Sequence, residues 1–316
     1  MSKYIFRRLV QLLPTLFGIS LLVFGLMRLL PGDVVRVLVG PELTITPEQR
    51  ATLERMLGLD APLYIQYLRW IGGVLTGDLG VSLRTSQPVL ATIVQRFPIT
   101  LELSVLALIF SWIIAVPLGI WAAVRRRGAA EFTAQVVGLI GLSLPNFWLA
   151  TMLLLGTSLL LRWQPSPLWV SIFVDPGTNL QMMIMPVISL SVALIAAIMR
   201  MVRSSMLEVL SQDYIRTARA KGLGETLILS RHALKNAFIP VVTVMGVQLG
   251  LLLGGAVVIE QIYGLPGIGW MILNGIYQRD YTLVQGGVLF IAVVFVLINL
   301  LVDVLYAYVD PRIRYD

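Results

Sequence analysis

Residues 99–127 read ITLELSVLALIFSWIIAVPLGIWAAVRRR: one carboxylate, Glu102, in an apolar run that ends on three consecutive arginines. A helix of roughly 20 mainly apolar residues crosses the ~30 Å hydrocarbon core of a bilayer. Arginines gathered at one end of such a run mark the cytoplasmic side. Further apolar runs lie at about 9–30, 133–161, 181–202, 237–260 and 284–308. The pattern predicts an all-α integral membrane protein with about six transmembrane helices.

Composition points the same way. Of 316 residues, 57% are hydrophobic and 13% charged, against about 25% charged in a soluble domain. A formal charge of +7 in a soluble protein would suggest nucleic acid. Here the basic residues flank apolar runs, which makes them topology signals and argues for no nucleic-acid partner. With no cysteine and one histidine, His232, disulfides, thiolate nucleophiles and a usual Cys/His metal site are excluded. No catalytic, metal or cofactor-binding set is expected on this chain.

The first run follows Lys3, Arg7 and Arg8, as a signal peptide would. It is longer than a typical signal core, and Met27-Arg28-Leu29-Leu30-Pro31 lacks a small-x-small cleavage pattern, so a retained helix is expected. Arg125, Arg126 and Arg127 fall between the second and third runs. Arg200, Arg203, Arg216, Arg219, Lys221, Arg231 and Lys235 crowd the fourth-to-fifth connection, and Arg312 and Arg314 close the chain. Residues 163–180 carry no Lys or Arg, and 264–282 only Arg279. Both termini are therefore placed in the cytoplasm.

Residues 31–98 fall outside the membrane. Pro31-Gly32-Asp33 reads as a turn. Thr46-Pro47-Glu48 reads as a helix start, with Thr46 capping and Pro47 at the first helical position. Tyr64, Tyr67, Leu68 and Ile71 keep helical spacing until Gly77-Asp78-Leu79-Gly80 breaks it. The expected organisation is 1–30 as cytoplasmic N-terminus and first helix, 31–98 as an extracytoplasmic helical cap, and 99–316 as a five-helix core. The core carries a cytoplasmic loop at about 204–236.

That loop holds Asp213-Tyr214-Ile215-Arg216-Thr217-Ala218-Arg219-Ala220-Lys221-Gly222-Leu223-Gly224. Met206–Leu210 reads as helix before it and Thr226–Lys235 as helix after it, ending at Asn236 before Pro240. Ala218 and Ala220 are small, basic residues surround them, and Gly222 is a natural helix end. Two readings stand: a basic loop that only sets topology, or a helix–turn–helix that docks a soluble partner. In the second, small residues admit the partner and Arg and Lys line the rim.

The segment resembles the EAA loop of binding-protein-dependent ABC importers, in the form used by dipeptide/oligopeptide permeases. Arg216-Thr217-Ala218 stands where that loop's Glu-Ala-Ala lies, and Gly222 on its glycine. Leu234 falls on the later leucine, and Lys235 replaces the usual proline. Other landmarks of the resemblance are Pro31-Gly32-Asp33, Gly77–Ser82, Arg203–Met206, Asp213–Gly222, His232–Pro240, Tyr263–Gly269, Arg279-Asp280-Tyr281, Gln285–Val288 and Asn299–Arg314. It covers nearly the whole chain and implies a type I importer permease fold in a bacterial or archaeal plasma membrane. It further implies a homologous permease partner, two ABC ATPase subunits binding ATP and Mg, a solute-binding protein outside, and peptide as cargo. Tyr214, Arg216, Thr217, Ala218, Arg219, Ala220, Lys221 and Gly222 would couple to the ATPases. A Gly-x-x-x-x-Gly-Lys-Ser/Thr phosphate loop is absent from the sequence, so the energy source belongs to a partner. Glutathione or a nickel chelate are alternative cargoes of similar permeases.

In the fifth run Gly246, Gly250 and Gly254 recur every four residues, with Gln248 near the edge of the stripe. Such a stripe lets another helix approach closely, either within this chain or at the partner permease or pathway. Asn146 follows Pro145 in the third run, where proline favours a kink. Asn299 and Asp303 share a face of the last run. Polar groups in hydrocarbon are functional candidates, although Asp303 also fits a structural ion pair. Glu102 and Glu260 lie near outer ends, where they would reach interfacial water. A membrane protease would need H-E-x-x-H or a Ser/His pair inside a run, and the sequence has neither. A stand-alone channel or ion-coupled transporter leaves the basic loop unexplained.

Overall fold

A computed structural model describes residues 2–29, 46–56, 58–126, 128–166 and 168–309. Pro31-Gly32-Asp33, Arg127, Arg312 and Arg314 lie outside the described residues. The described chain is helical apart from turns and an isolated bridge between Val81 and Pro88.

Helix α1 (Ser2–Leu29) is followed by two shorter helices, α2 (Pro47–Met56) and α3 (Leu63–Leu75). Thr46 starts α2 as a capping box: its Oγ1 accepts from Gln49 N at 3.3 Å, and its own N–H donates to Gln49 Oε1 at 2.9 Å. Tyr67 fastens α3 to α1. Its hydroxyl lies 2.8 Å from Ser20 Oγ, and Phe17 and Phe24 meet its ring edge-on.

Helix α4 (Val89–Val124) returns inward. It begins at Val89 rather than near 99, because its added turns bury Val89 and Ile93 in a small outer core with Leu79, Ile268, Met271, Ile272 and Val284. The third apolar run is not a single kinked helix. It divides into α5 (Ala129–Ser143) and α6 (Asn146–Leu160), which meet at 95°. Leu144 is extended, with φ −79° and ψ 121°. Proline at the next position clashes with a helical predecessor, so the break falls there.

Helix α7 (Pro176–Leu210) opens on Asp175, whose carboxylate accepts from Gly177 N, Thr178 N and Thr178 Oγ1. Helix α8 (Asp213–Ala220) follows on the cytoplasmic side. A short turn at Glu225–Leu227 and a π-helical stretch at Ile228–Ala233 then lead without interruption into α9 (Leu234–Gly255). The segment expected to stop at Asn236 instead continues through Pro240 with a 45° bend. Helices α10 (Val257–Tyr263) and α11 (Ile268–Tyr277) lie at the outer side, and α12 (Tyr281–Val309) returns inward. Four helices are long and apolar enough to span a bilayer, six if each bent pair is one span. The chain is a multi-pass membrane protein.

The core is organised on α7, which packs along α4, α5 and α9. Facing it on α4, Ala107, Ser111, Ala115, Gly119 and Ala123 recur every four residues, all buried. The absence of bulk brings backbones together. Ser191 Oγ donates to Ala107 O at 3.0 Å, and the side chain of Val202 lies where a Gly119 Cβ would project.

Candidate functional site

Helix α8 is short, and its sequence alternates function by face. Ile215 and Ala218, three apart, point inward and are buried with Ile228, Ala233 and Ala237. Tyr214, Arg216, Thr217, Arg219, Ala220 and Lys221 are exposed. Ala218, expected on the docking face, instead anchors the helix to the chain's own core. A small residue is needed there because the π-helical stretch packs closely beneath it.

The helix ends as its sequence anticipates. Gly222 has φ +75°, the left-handed region that other residues enter at a cost. Its N–H donates to Arg219 O at 2.9 Å, and Leu223 N–H to Ala218 O at 3.3 Å, the paired bonds of a Schellman cap. Leu223 follows the cap inward against the core, so the turn is held from both sides.

Polar contacts fix the outer face of the element. Arg219 Nε donates to Glu225 Oε1 at 2.7 Å, and Nη2 to Oε2 at 3.3 Å. This pairing holds the Glu225 carboxyl below the usual carboxylate range and raises the Arg219 guanidinium. Arg216 lies 3.4 Å from Asp213. Tyr214 is bonded across the turn: its hydroxyl accepts from Asn236 Nδ2 at 2.8 Å and donates to His232 O at 3.4 Å. Two hydrogen bonds and two buried side chains thus tie α8 to the π-helical stretch and the start of α9.

The remaining candidates do not converge on it. A Cβ at Gly246 would meet Val302 and one at Gly250 would meet the Phe295 ring, both on α12, whereas a Cβ at Gly254 would meet nothing within 4 Å. The stripe therefore serves packing inside this chain at its first two positions. Gln248 is half-buried beside it. Asn299 Nδ2 donates to Phe295 O at 3.0 Å, so it belongs to the same α9–α12 seam, and Asp303 is half-buried one turn on. Asn146 is the half-buried first residue of α6, at the 95° break.

Two buried carboxylates at the outer side were placed wrongly or passed over by the sequence analysis. Glu260 does not reach interfacial water. It is fully buried, accepting from Thr100 Oγ1 at 2.6 Å and from Trp270 N at 2.8 Å. Thr100 Oγ1 accepts in turn from Ile268 N at 2.9 Å, so one carboxyl joins α4, α10 and α11. Asp280 is also buried. It accepts from Ser82 Oγ and Leu83 N, and caps α12 through Leu283 N at 3.2 Å. Arg84 Nε adds a bond to Gln278 O at 3.2 Å. An aspartate directly before an apolar run is a helix-cap signal that marks Asp280 in the sequence alone. Glu102 is half-buried on α4.

Residues 115–315 match the family described as binding-protein-dependent transport system inner membrane component, and residues 1–104 match the N-terminal part of such membrane components. The chain is 44% identical over 340 residues to the dipeptide transport system permease protein DppB of Escherichia coli K12, covering all of this chain and 99% of that one. It is 42% identical over 336 residues to the di/tripeptide transport system permease protein DppB of Pseudomonas aeruginosa UCBPP-PA14, covering both in full. Among solved structures, an inward-facing MetNI methionine ABC transporter chain superposes with a TM-score of 0.59 at 20% identity. That match spans 72% of this chain and 100% of the other.

Proposed function

The chain belongs to the binding-protein-dependent transport system inner membrane component family, and from that premise we propose that it pairs with a homologous permease to form the peptide pathway of an ATP-driven importer. It is a permease subunit of the plasma membrane with the type I importer fold. Its partners are ATPase subunits on the cytoplasmic side and a solute-binding protein outside. Di- and oligopeptides are the proposed cargo, because the full-length relatives are peptide permeases. ATP and Mg bind to the partner subunits in this reading, and hydrolysis occurs there.

The observation that carries the reading is the construction of α8. A helix of eight residues is held to the body by Ile215 and Ala218 and presents Tyr214, Arg216, Thr217, Arg219, Ala220 and Lys221 to the cytoplasm. A loop that served only to return the chain would need neither the inward anchors nor the Tyr214 bonds to α9. The exposed face enters a groove of an ATPase subunit. Closure of the ATPases pushes α8, and its ties to α9 and α7 carry the displacement into the spans. The α9–α12 seam, with Gly246, Gly250, Gln248, Asn299 and Asp303, and the α6 start at Asn146, are the proposed elements that shift against one another.

The test is uptake by the reconstituted complex. Vesicles holding both permeases and both ATPases, supplied with binding protein, should accumulate labelled dipeptide only with ATP inside the compartment that faces α8. Accumulation of glutathione or a nickel chelate in place of peptide would overturn the cargo, and uptake without ATP would overturn the transport class.

A further inference from the structure

The connection from α8 to α9 contains one turn of a different pitch. Residues Ile228–Ala233 are π-helical, and Leu234 N–H closes the turn on Leu229 O, five residues back where an α-helix reaches four. Such a turn is an α-helix holding one residue too many. The burial pattern gives its cause. Ile228, Ala233, Ala237 and Val241 are all buried, at steps of five, four and four. In an α-helix a step of four turns a side chain by about 40°, and a step of five by about 140°. An unbroken α-helix would therefore turn Ile228 away from the face that Ala233, Ala237 and Val241 share. The wider turn keeps it there, in the core that also holds Ile215 and Ala218 of α8.

A second register is available to the same sequence. With α geometry throughout, the residue four before Ala233 is Leu229, which already packs against this core at half burial. The core can thus take an aliphatic side chain of the same size from either register: Ile228 through a π turn, or Leu229 through an α turn. The two ends of the stretch are held differently. Ala237 and Val241 seat α9 in the core, whereas Gly224, Glu225, Thr226 and Leu227 are all exposed. That exposed turn can take up a residue without disturbing the packing. It also moves with α8, because Glu225 accepts from Arg219. Tyr214 of α8 reaches over the stretch, donating to His232 O and accepting from Asn236 Nδ2. A displacement of α8 is therefore applied directly to the π turn.

Building on the reading of α8 as the coupling helix, we propose that Ile228–Ala233 is a register switch between α8 and α9. As the ATPase subunits displace α8, the π turn closes to an α turn and the extra residue passes into the exposed turn at 224–227. Leu229 then takes the seat of Ile228, while α9 keeps its own. Packed elements change between discrete seats and do not deform continuously. A step of one residue is the smallest that leaves an aliphatic side chain in the core on both sides of the change.

The test uses the absence of cysteine from the sequence. Ile228→Cys, Leu229→Cys and Ala233→Cys are each placed in the reconstituted importer complex and exposed to a small thiol reagent. The adduct is read on this chain by mass spectrometry. Without nucleotide, Ile228→Cys should react more slowly than Leu229→Cys. With ATP bound and hydrolysis blocked, that order should reverse, while Ala233→Cys stays protected in both states. The same order in both states overturns the switch. Deletion of Ser230, exposed within the stretch, shortens the step from Ile228 to Ala233 to four and fixes the α register. The deletion variant should retain the ATPase subunits but lose stimulated hydrolysis and dipeptide uptake, and wild-type uptake by it overturns the switch as well. Failure of the wild-type permeases to retain the ATPase subunits removes the coupling role of α8 and the switch with it. Retention with an unreversed labelling order removes the switch alone.

Discussion

The outer and cytoplasmic ends of this molecule use carboxylates in opposite ways. Outside, Glu260 and Asp280 are buried and accept hydrogen bonds from backbone and hydroxyl groups of distant segments. Inside, Glu225 and Asp213 are exposed and pair with arginines a few residues away. Exposed pairs contribute little to stability, whereas stranding buried partners is costly. The outer end is therefore clasped, and the cytoplasmic end is held mainly by the packing of Ile215 and Ala218. That leaves Tyr214, Arg216, Thr217, Arg219, Ala220 and Lys221 of α8 exposed.

The largest effect is expected at Glu260. Glu260→Ala removes the acceptor of Thr100 Oγ1 and Trp270 N and leaves a gap among α4, α10 and α11. Each buried group left unpaired costs about 1–3 kcal/mol, so the detergent-solubilised chain should melt several degrees lower. A melting temperature equal to wild type would remove the contrast between the two ends. Asp280→Ala should cost less, about 0.5–2 kcal/mol for the lost helix cap, plus its tie to Ser82. Protease cutting within 77–88 should rise with it, and unchanged cutting would show that Asp280 does not hold that loop.

The legibility of the sequence divides along the same line. Thr46, Gly222 and the apolar runs were readable because caps, left-handed turns and spans are set by residues close in the chain. The clasps were not. Thr100 and Ser82 meet their carboxylates across 160 and 198 positions, and periodicity is blind to such contacts. Glu260 near an apolar end looks the same whether it turns to water or inward. Ala218 was misread for a related reason: smallness suits a docking face and a tight core equally, and only its partners decide. The helix Asp213–Ala220, its exposed basic face and its terminal glycine were legible because all three are local.

At the cytoplasmic end a smaller effect is expected from Gly222→Val. A left-handed conformation costs a non-glycine residue roughly 1–2 kcal/mol, and nothing lies within 4 Å of the position to add a clash. The chain should insert and melt nearly as wild type, while transport falls because the end of α8 is displaced. A melting shift as large as that of Glu260→Ala would mean the turn is a stability element and not a coupling one.

The smallest effect belongs to Arg219→Gln. Pairing with Arg219 lowers the Glu225 pKa in the folded chain. Any stability it adds is therefore present above the ordinary carboxylate range and lost as pH falls through the lowered value. In the variant the Glu225 titration, followed by carboxyl NMR, should return toward the ordinary range with no measurable change in melting. An unmoved titration would show that the pair is not formed in solution.

The central claim is that the exposed face of α8 meets the ATPase subunits. Ala220 is exposed on that face and uncharged, so Ala220→Trp adds bulk at the joint without touching the buried anchors. The deciding measurement is binding-protein-stimulated ATP hydrolysis by the reconstituted complex, alongside retention of ATPase subunits on the purified permeases. Retention and stimulation should both be lost while the melting of the permease itself is unchanged. Full retention and full stimulation in Ala220→Trp would contradict the account and leave α8 a basic loop that only sets topology.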